Sequence, residues 1–196
     1  NFDYIDHMQE ANKIFAREFG STLFAIARDV QTEVQFNPSM VKSYRLIGYE
    51  NKILPVDSSV KNEYGGGIIG SGHCSVAIYE IIPAEKLPAT DTLLARVKIA
   101  YRDPQDTVLK YVEGNIPAVL QSFDQASDDC RFAAAVALFG MLLRKSSYCG
   151  TGNRNMVMEL ARDALGADHG GYREEFVKMV KALRKGKRQS LYFISR

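Results

Sequence analysis

The stretch Asp129–Arg144, DCRFAAAVALFGMLLR, decides the class of this fold. Before about residue 126 apolar residues recur at every second position. From there on they recur with the helical period. The run Phe132–Leu143 would span about 18 Å as a helix, short of the ~30 Å hydrocarbon core of a bilayer. It reads as a buried core helix and not as a membrane anchor. Ser127 is placed to cap its start, with Asp128 and Asp129 favourable in the first turn, and the helix runs to about Lys145. Two amphipathic helices follow. Asn153–Leu165 carries Met156, Val157, Leu160, Ala161 and Ala164 on one stripe, with Gly166 beyond its end. Gly171–Lys185 carries Tyr172, Phe176, Val180 and Leu183.

Towards the N-terminus the pattern is that of strands. Val34–Asn51 and Gly70–Pro83 are rich in aromatic and β-branched residues. In 30–36, Val30, Thr32, Val34 and Phe36 alternate with Gln31, Glu33 and Gln35, the mark of a half-buried strand. Asn37-Pro38-Ser39 is a turn, and Ser43–Tyr49 a second strand. Lys52–Gly72, with Pro55 and the glycines 65–67, reads as a long loop. Gly72–Ile82, Leu93–Tyr101 and Thr107–Glu113 read as further strands, with a turn over Arg102–Asp106. No helical crossovers separate these strands, which argues for antiparallel pairing. A separate helix at Asp6–Phe19, capped by Asp6 with Gln9 and stopped by Gly20, precedes them. The expected fold is therefore α+β: an antiparallel β-sandwich over 21–125 with a C-terminal three-helix cluster over 126–186 packed on it. Residues 1–20 lead into it and 187–196 form a tail.

Composition narrows the function. Of 196 residues, 46% are hydrophobic and 24% charged, as in globular proteins, so dominant disorder is excluded. A net charge of +2 is too small to point to nucleic acid. Arg173, Lys178, Lys181, Arg184, Lys185, Lys187 and Arg188 make the C-terminus basic, as the helix dipole favours, and lack the interleaved exposed aromatics of a nucleic-acid site. The sequence opens at Asn1 with strand character in NFDYID, which reads as a piece of a longer protein. Three cysteines are too few for a disulfide framework. Cys130 and Cys149 flank a helix whose ends lie more than about 20 Å apart, so no bond is expected between them.

His73 beside Cys74 is the most tempting chemical pair. Neighbours in a strand point to opposite faces, so the two cannot form a dyad with each other. A strand-start histidine and a buried cysteine is the plainer reading. No ligand pair has zinc-finger spacing, and the glycines over 64–72 do not join a strand to a helix as a phosphate loop does. Asp128, Asp129 and Arg131 form an acidic patch with an ion-pair partner, which capping also explains. Tyr64, in the long loop, and His73 are the candidates for a contact surface, since tyrosine is favoured at interfaces. No catalytic, metal or cofactor-binding set is expected.

Several blocks carry a family resemblance: NFDYIDHMQEANKIFAREFGSTLFAIARDVQTEVQFNPSMVKSYRLIGYEN (1–51), GSGHCSVAIYEIIP (70–83), RFAAAVALFGMLLR (131–144) and LARDALGADHGGYREEFVKMVKAL (160–183). In this order they resemble the junction between a von Willebrand factor type A domain and the domain that follows it in bacterial envelope proteins. The resemblance implies that Phe2–Phe19 is the last strand and helix of that type A domain. Its metal site needs an Asp-x-Ser-x-Ser loop, and Asp57-Ser58-Ser59 has the wrong spacing, so no metal residue carries over. It also implies a periplasmic or cell-surface location, with lipid anchoring of the whole protein. The expected function is a non-enzymatic interaction or support module with protein partners at the envelope. It involves no nucleic acid and no membrane insertion of this piece. The alternatives are a hydrolase using His73 with carboxylates brought near by folding, and carbohydrate binding through exposed tyrosines.

Overall fold

The strand expected over 30–36 reaches back to Ala25, because it finds partners on two sides. In the computed structural model, which describes residues 24–48, 67–88 and 93–185, this strand is β1 (Ala25–Phe36). It is followed by β2 (Val41–Leu46), β3 (Gly67–Gly70), β4 (Tyr79–Pro83), β5 (Leu93–Arg102) and β6 (Leu109–Pro117). A short 3₁₀ turn at Phe123–Gln125 precedes α1 (Asp128–Leu143), α2 (Arg154–Arg162) and α3 (Tyr172–Lys185). The helix expected at Asp6–Phe19, Tyr49, Tyr64, most of the loop expected over 52–72 and the tail 187–196 lie outside the described residues. The chain divides into two compact units between Val119 and Leu120.

The first unit holds two antiparallel sheets. One has four strands in the order β3-β1-β5-β6, and the other pairs β2 with β4. The registers Phe36↔Ala95, Val34↔Val97 and Thr32↔Ile99 continue into β6 as Ala95↔Ile116, Val97↔Gly114 and Ile99↔Val112. Cross-strand partners share a face, so these residues make one apolar face. The opposite face carries Gln35, Arg96 and Asn115 in one row and Glu33, Lys98 and Glu113 in the next. The period-two reading of β1 and β5 thus holds residue by residue. A bulge between Arg28 and Gln31 puts Asp29 at φ 52°. There Asp29 accepts from Arg102 Nη1 at 3.0 Å, and Arg28 Nη2 donates to the Asp106 carbonyl at 2.9 Å, tying the β5–β6 turn to the bulge.

Asn37 builds the turn after β1. Its side-chain oxygen accepts from Ser39 N at 3.0 Å, its Nδ2 donates to Leu93 O, and its backbone N donates to Leu94 O. At this corner Met40, Val41 and Ala95 are buried. The Phe36 ring of the larger sheet meets Tyr44 at 4.4 Å and Tyr79 at 5.3 Å on the smaller one. Burial raises the Tyr79 phenol above its ordinary pKa, and Tyr44 adds to the shift.

Two strand expectations need correction. Residues 67–70 are strand, not loop: Ile69 pairs with Ala27 and Gly67 with Val30. Tertiary pairing overrides the glycine composition there. Conversely, the long strand expected over 72–82 is confined to β4. The ladder with β2 ends at Leu46↔Tyr79, and Gly48 at φ 77° turns the partner away. Beyond the bond from Ile47 N to Ile78 O at 2.8 Å, residues 73–78 have no ladder partner among the described residues, and they take no regular form.

The second unit follows the predicted helices closely. Ser127 Oγ accepts from Cys130 N at 3.2 Å, capping α1. Asn153 Oδ1 accepts from Asn155 N and Met156 N, capping α2. Ala135, Phe139, Val157, Ala161, Val177 and Val180 form the core between the three helices. The Phe176 ring lies edge-on between Phe132 and Phe139, 5.4 Å from each. A Cβ added at Gly152 would sit 2.6 Å from Leu138 Cδ1 and 2.7 Å from the Cys149 carbonyl, so only glycine fits. The α1 helix is not buried all round, as its sequence suggested. The other two helices cover one side, and Val136 and Leu143 remain 42% and 57% exposed.

Candidate functional site

The residues singled out from sequence do not converge. Tyr64 lies outside the described residues. His73 sits on the exposed irregular segment after β3, with its backbone N on Gly70 O at 3.1 Å and its ring 3.5 Å from Ser75 Oγ. No carboxylate pairs with it among the described residues. Cys74 is exposed and not buried, because the strand that was to bury it does not form. All three cysteines are free, and α1 separates Cys130 from Cys149. Tyr44 is exposed but its ring crosses that of Tyr79 at 63°, so the two are not coplanar.

The structure instead gathers residues that spacing did not connect. The starts of α1 and α3 meet at a cleft of about 490 Å³ lined by Ser127, Asp128, Asp129, Gly166, Asp168, His169 and Arg173. Arg173 organises it. Its Nη1 donates to the Ala164 carbonyl at 3.0 Å and reaches the Leu165 carbonyl at 3.5 Å. Its Nη2 pairs with the Asp129 carboxylate, and the guanidinium lies 5.0 Å over the Phe132 ring. Asp128 pairs with Arg131 at 2.6 Å, as the sequence suggested.

Asp168 closes the start of α3. Its carboxylate accepts from Arg173 N at 3.2 Å and Glu174 N at 2.9 Å. Desolvation raises its pKa, but the backbone N–H groups of Glu174, Arg173 and Tyr172 and the Arg173 charge outweigh it and hold the carboxyl below its ordinary value. Gly166, at φ 56°, lets the loop come close to α1. A Cβ there would meet Asp128 Oδ2 at 3.3 Å and Arg173 Nη1 at 3.4 Å. Ser127, Asp128, Asp129, Asp168 and Arg173 are all engaged in holding helix ends. The cleft is a latch of the helical unit, and among the described residues no group of three His, Cys, Asp or Glu side chains is set to hold a metal. Reading Asp128 and Asp129 as caps anticipated half of it. The Arg173 return contact has no signature in spacing.

A second surface lies on the first unit. The apolar face of the larger sheet is only part-covered. Ala95 is fully buried beside the aromatic corner, yet Val112 and Ile116 on the same face are 53% and 40% exposed. That face runs out to β6, the last strand of its sheet.

A family model described as "Uncharacterized protein YfbK, C-terminal" matches residues 21–185. The chain belongs to this family. The protein YfbK of Escherichia coli, itself described as uncharacterized, is 32% identical over 197 aligned positions. The match covers 92% of this chain and 34% of that relative, so the chain spans about a third of its relative's length. No solved structure matches the chain. No described helix is long and apolar enough to cross a membrane.

Proposed function

We propose that this chain is a non-enzymatic interaction and support module of a bacterial cell-envelope protein that carries a von Willebrand factor type A domain. The observation that carries the reading is the apolar face on which half-buried Val97 and Ile99 lead out to exposed Val112 and Ile116, at what is the sheet edge among the described residues. Contiguous exposed apolar surface on a folded unit marks a protein contact. The Phe36–Tyr44–Tyr79 corner supports the two sheets as layers of one sandwich whose remaining inner surface is filled by another polypeptide. The segment resemblance over residues 1–51 supports a type A domain as the neighbour, and the shorter span of this chain against its relative supports a larger parent. The latch at Arg173 supports a holding role for the helical unit, since its polar groups are spent on each other.

The test is calorimetric titration of this chain with the separately purified remainder of its parent polypeptide, including the type A domain. Saturable binding that weakens in the double variant Val97→Asp, Val112→Asp supports the reading. Absence of binding at high micromolar concentration, with both partners folded, contradicts it.

A further inference from the structure

We propose that the outer edge of β6 is a strand-addition site, completed by an extended strand from the remainder of the parent polypeptide. This deepens the protein-contact reading above and rests on it. β6 pairs with β5 over its whole length, from Arg102↔Leu109 to Leu93↔Pro117. Among the described residues no strand lies on its other side. Every residue of β6 except Lys110 is exposed. Alternate N–H and C=O groups along its outer edge therefore face away from the sheet, and only another extended backbone supplies partners at that spacing.

Folded proteins usually protect such an edge with outward charges, proline or a bulge. Here those devices are missing or turned inward. The only proline of β6 is its last residue, Pro117, and the β5–β6 register shifts only near that end, between Leu93 and Ala95. Lys110 is drawn back to Asp103, whose hydrogen bond and charge raise the lysine pKa. Glu113 faces Lys98 at 3.8 Å. Lys98 also lies 4.4 Å over the Tyr111 ring. The charges that could repel an incoming strand are thus bound within the sheet.

The face beside the edge defines what the incoming strand carries. Val112 and Ile116 flank Gly114 on the apolar side, and a Cβ at Gly114 would meet nothing within 4 Å. This leaves a notch one side chain wide between two exposed aliphatic side chains. An aromatic or large aliphatic side chain of the added strand fills it, as aromatic side chains do over edge glycines. The incoming strand is therefore apolar on the Val112 side and polar on the Glu113 side. The curated relative, about three times as long as the matched region, has ample chain outside this domain to provide it.

Hydrogen–deuterium exchange of peptides covering 109–117 tests the proposal, with the 196-residue chain compared with the full-length parent. Alternate amides should exchange rapidly in the chain alone and slow by about 100-fold or more in the parent. Val112→Lys or, on the other face, Tyr111→Lys should restore rapid exchange in the parent while leaving its circular dichroism unchanged. Unchanged exchange in the parent overturns the proposal, as does protection in the chain alone that rises with concentration, which would mean pairing between copies. If calorimetry shows binding while the β6 amides stay unprotected, strand addition fails and the protein-contact reading stands. If neither is seen, both fail.

Discussion

Replacing Arg173 by methionine should destabilise the helical unit by about 2–4 kcal/mol, and replacing Asp129 by asparagine should cost far less. The difference follows from where each group lies. The Asp129 side chain is 84% exposed, whereas that of Arg173 is 25% exposed. An ion pair with one partner in water contributes roughly 0–1 kcal/mol. The 3.0 Å bond from Arg173 to the Ala164 carbonyl uses a charged donor, for which about 1.5–3 kcal/mol is typical. The stacking on Phe132 adds about 0.5–1 kcal/mol. The 3.5 Å approach to Leu165 adds little. Arg173→Lys keeps a charge and loses the planar fork, so it should fall between the two. Urea unfolding followed by helical circular dichroism checks this. With a slope of about 1–3 kcal/mol/M, Arg173→Met should lower the midpoint by roughly 1–2 M. If Asp129→Asn lowers it as much as Arg173→Met, the latch is mainly an ion pair and the argument fails.

Asp168 gives a pH dependence. Its folded pKa lies below its ordinary 3.8, so its stabilising contribution is complete above that value and is lost as pH falls through the lower folded pKa. Asp168→Asn should flatten the acid limb of a stability–pH curve while keeping a capping oxygen, whereas Asp168→Ala should cost about 0.5–2 kcal/mol at neutral pH, as loss of a cap does. Phe139→Ala removes a ring that is 6% exposed and edge-on to Phe176; a loss of about 3–5 kcal/mol in thermal or urea melts is expected. Gly114→Val should stabilise the chain alone by roughly 0.5–1 kcal/mol, since it favours strand and meets no clash, yet weaken calorimetric binding to the parent remainder. Gly152→Ala should lower the melting temperature, because its methyl would overlap the Cys149 carbonyl.

Legibility tracked the range of the interactions involved. The helix starts at Ser127 and Asn153 were readable because a cap is a bond between residues two or three apart. The faces of β1 and β5 were readable because successive side chains along a strand point to opposite faces. Strand β3 was not readable, since Ile68 and Ile69 sit among glycines and are strand only because β1 lies alongside. The overlong strand at 72–82 failed for the reverse reason: Val76 and Ile78 have strand character, but the ladder with β2 ends at Leu46↔Tyr79, and beyond it only the bond from Ile47 N to Ile78 O follows among the described residues. Likewise the Arg173 latch joins residues 44 apart in sequence, and no local pattern reports such a distance. The exposed edge at β6 looks like any alternating strand until its place in the sheet order is known.

The most direct test of a module completed by its parent is an experimental structure of the full-length polypeptide. The account predicts that Val97, Ile99, Val112 and Ile116 are buried there under residues from outside 21–185, with β6 no longer the last strand of its sheet. Finding Val112 and Ile116 still in solvent, beside an unpaired β6, would contradict it.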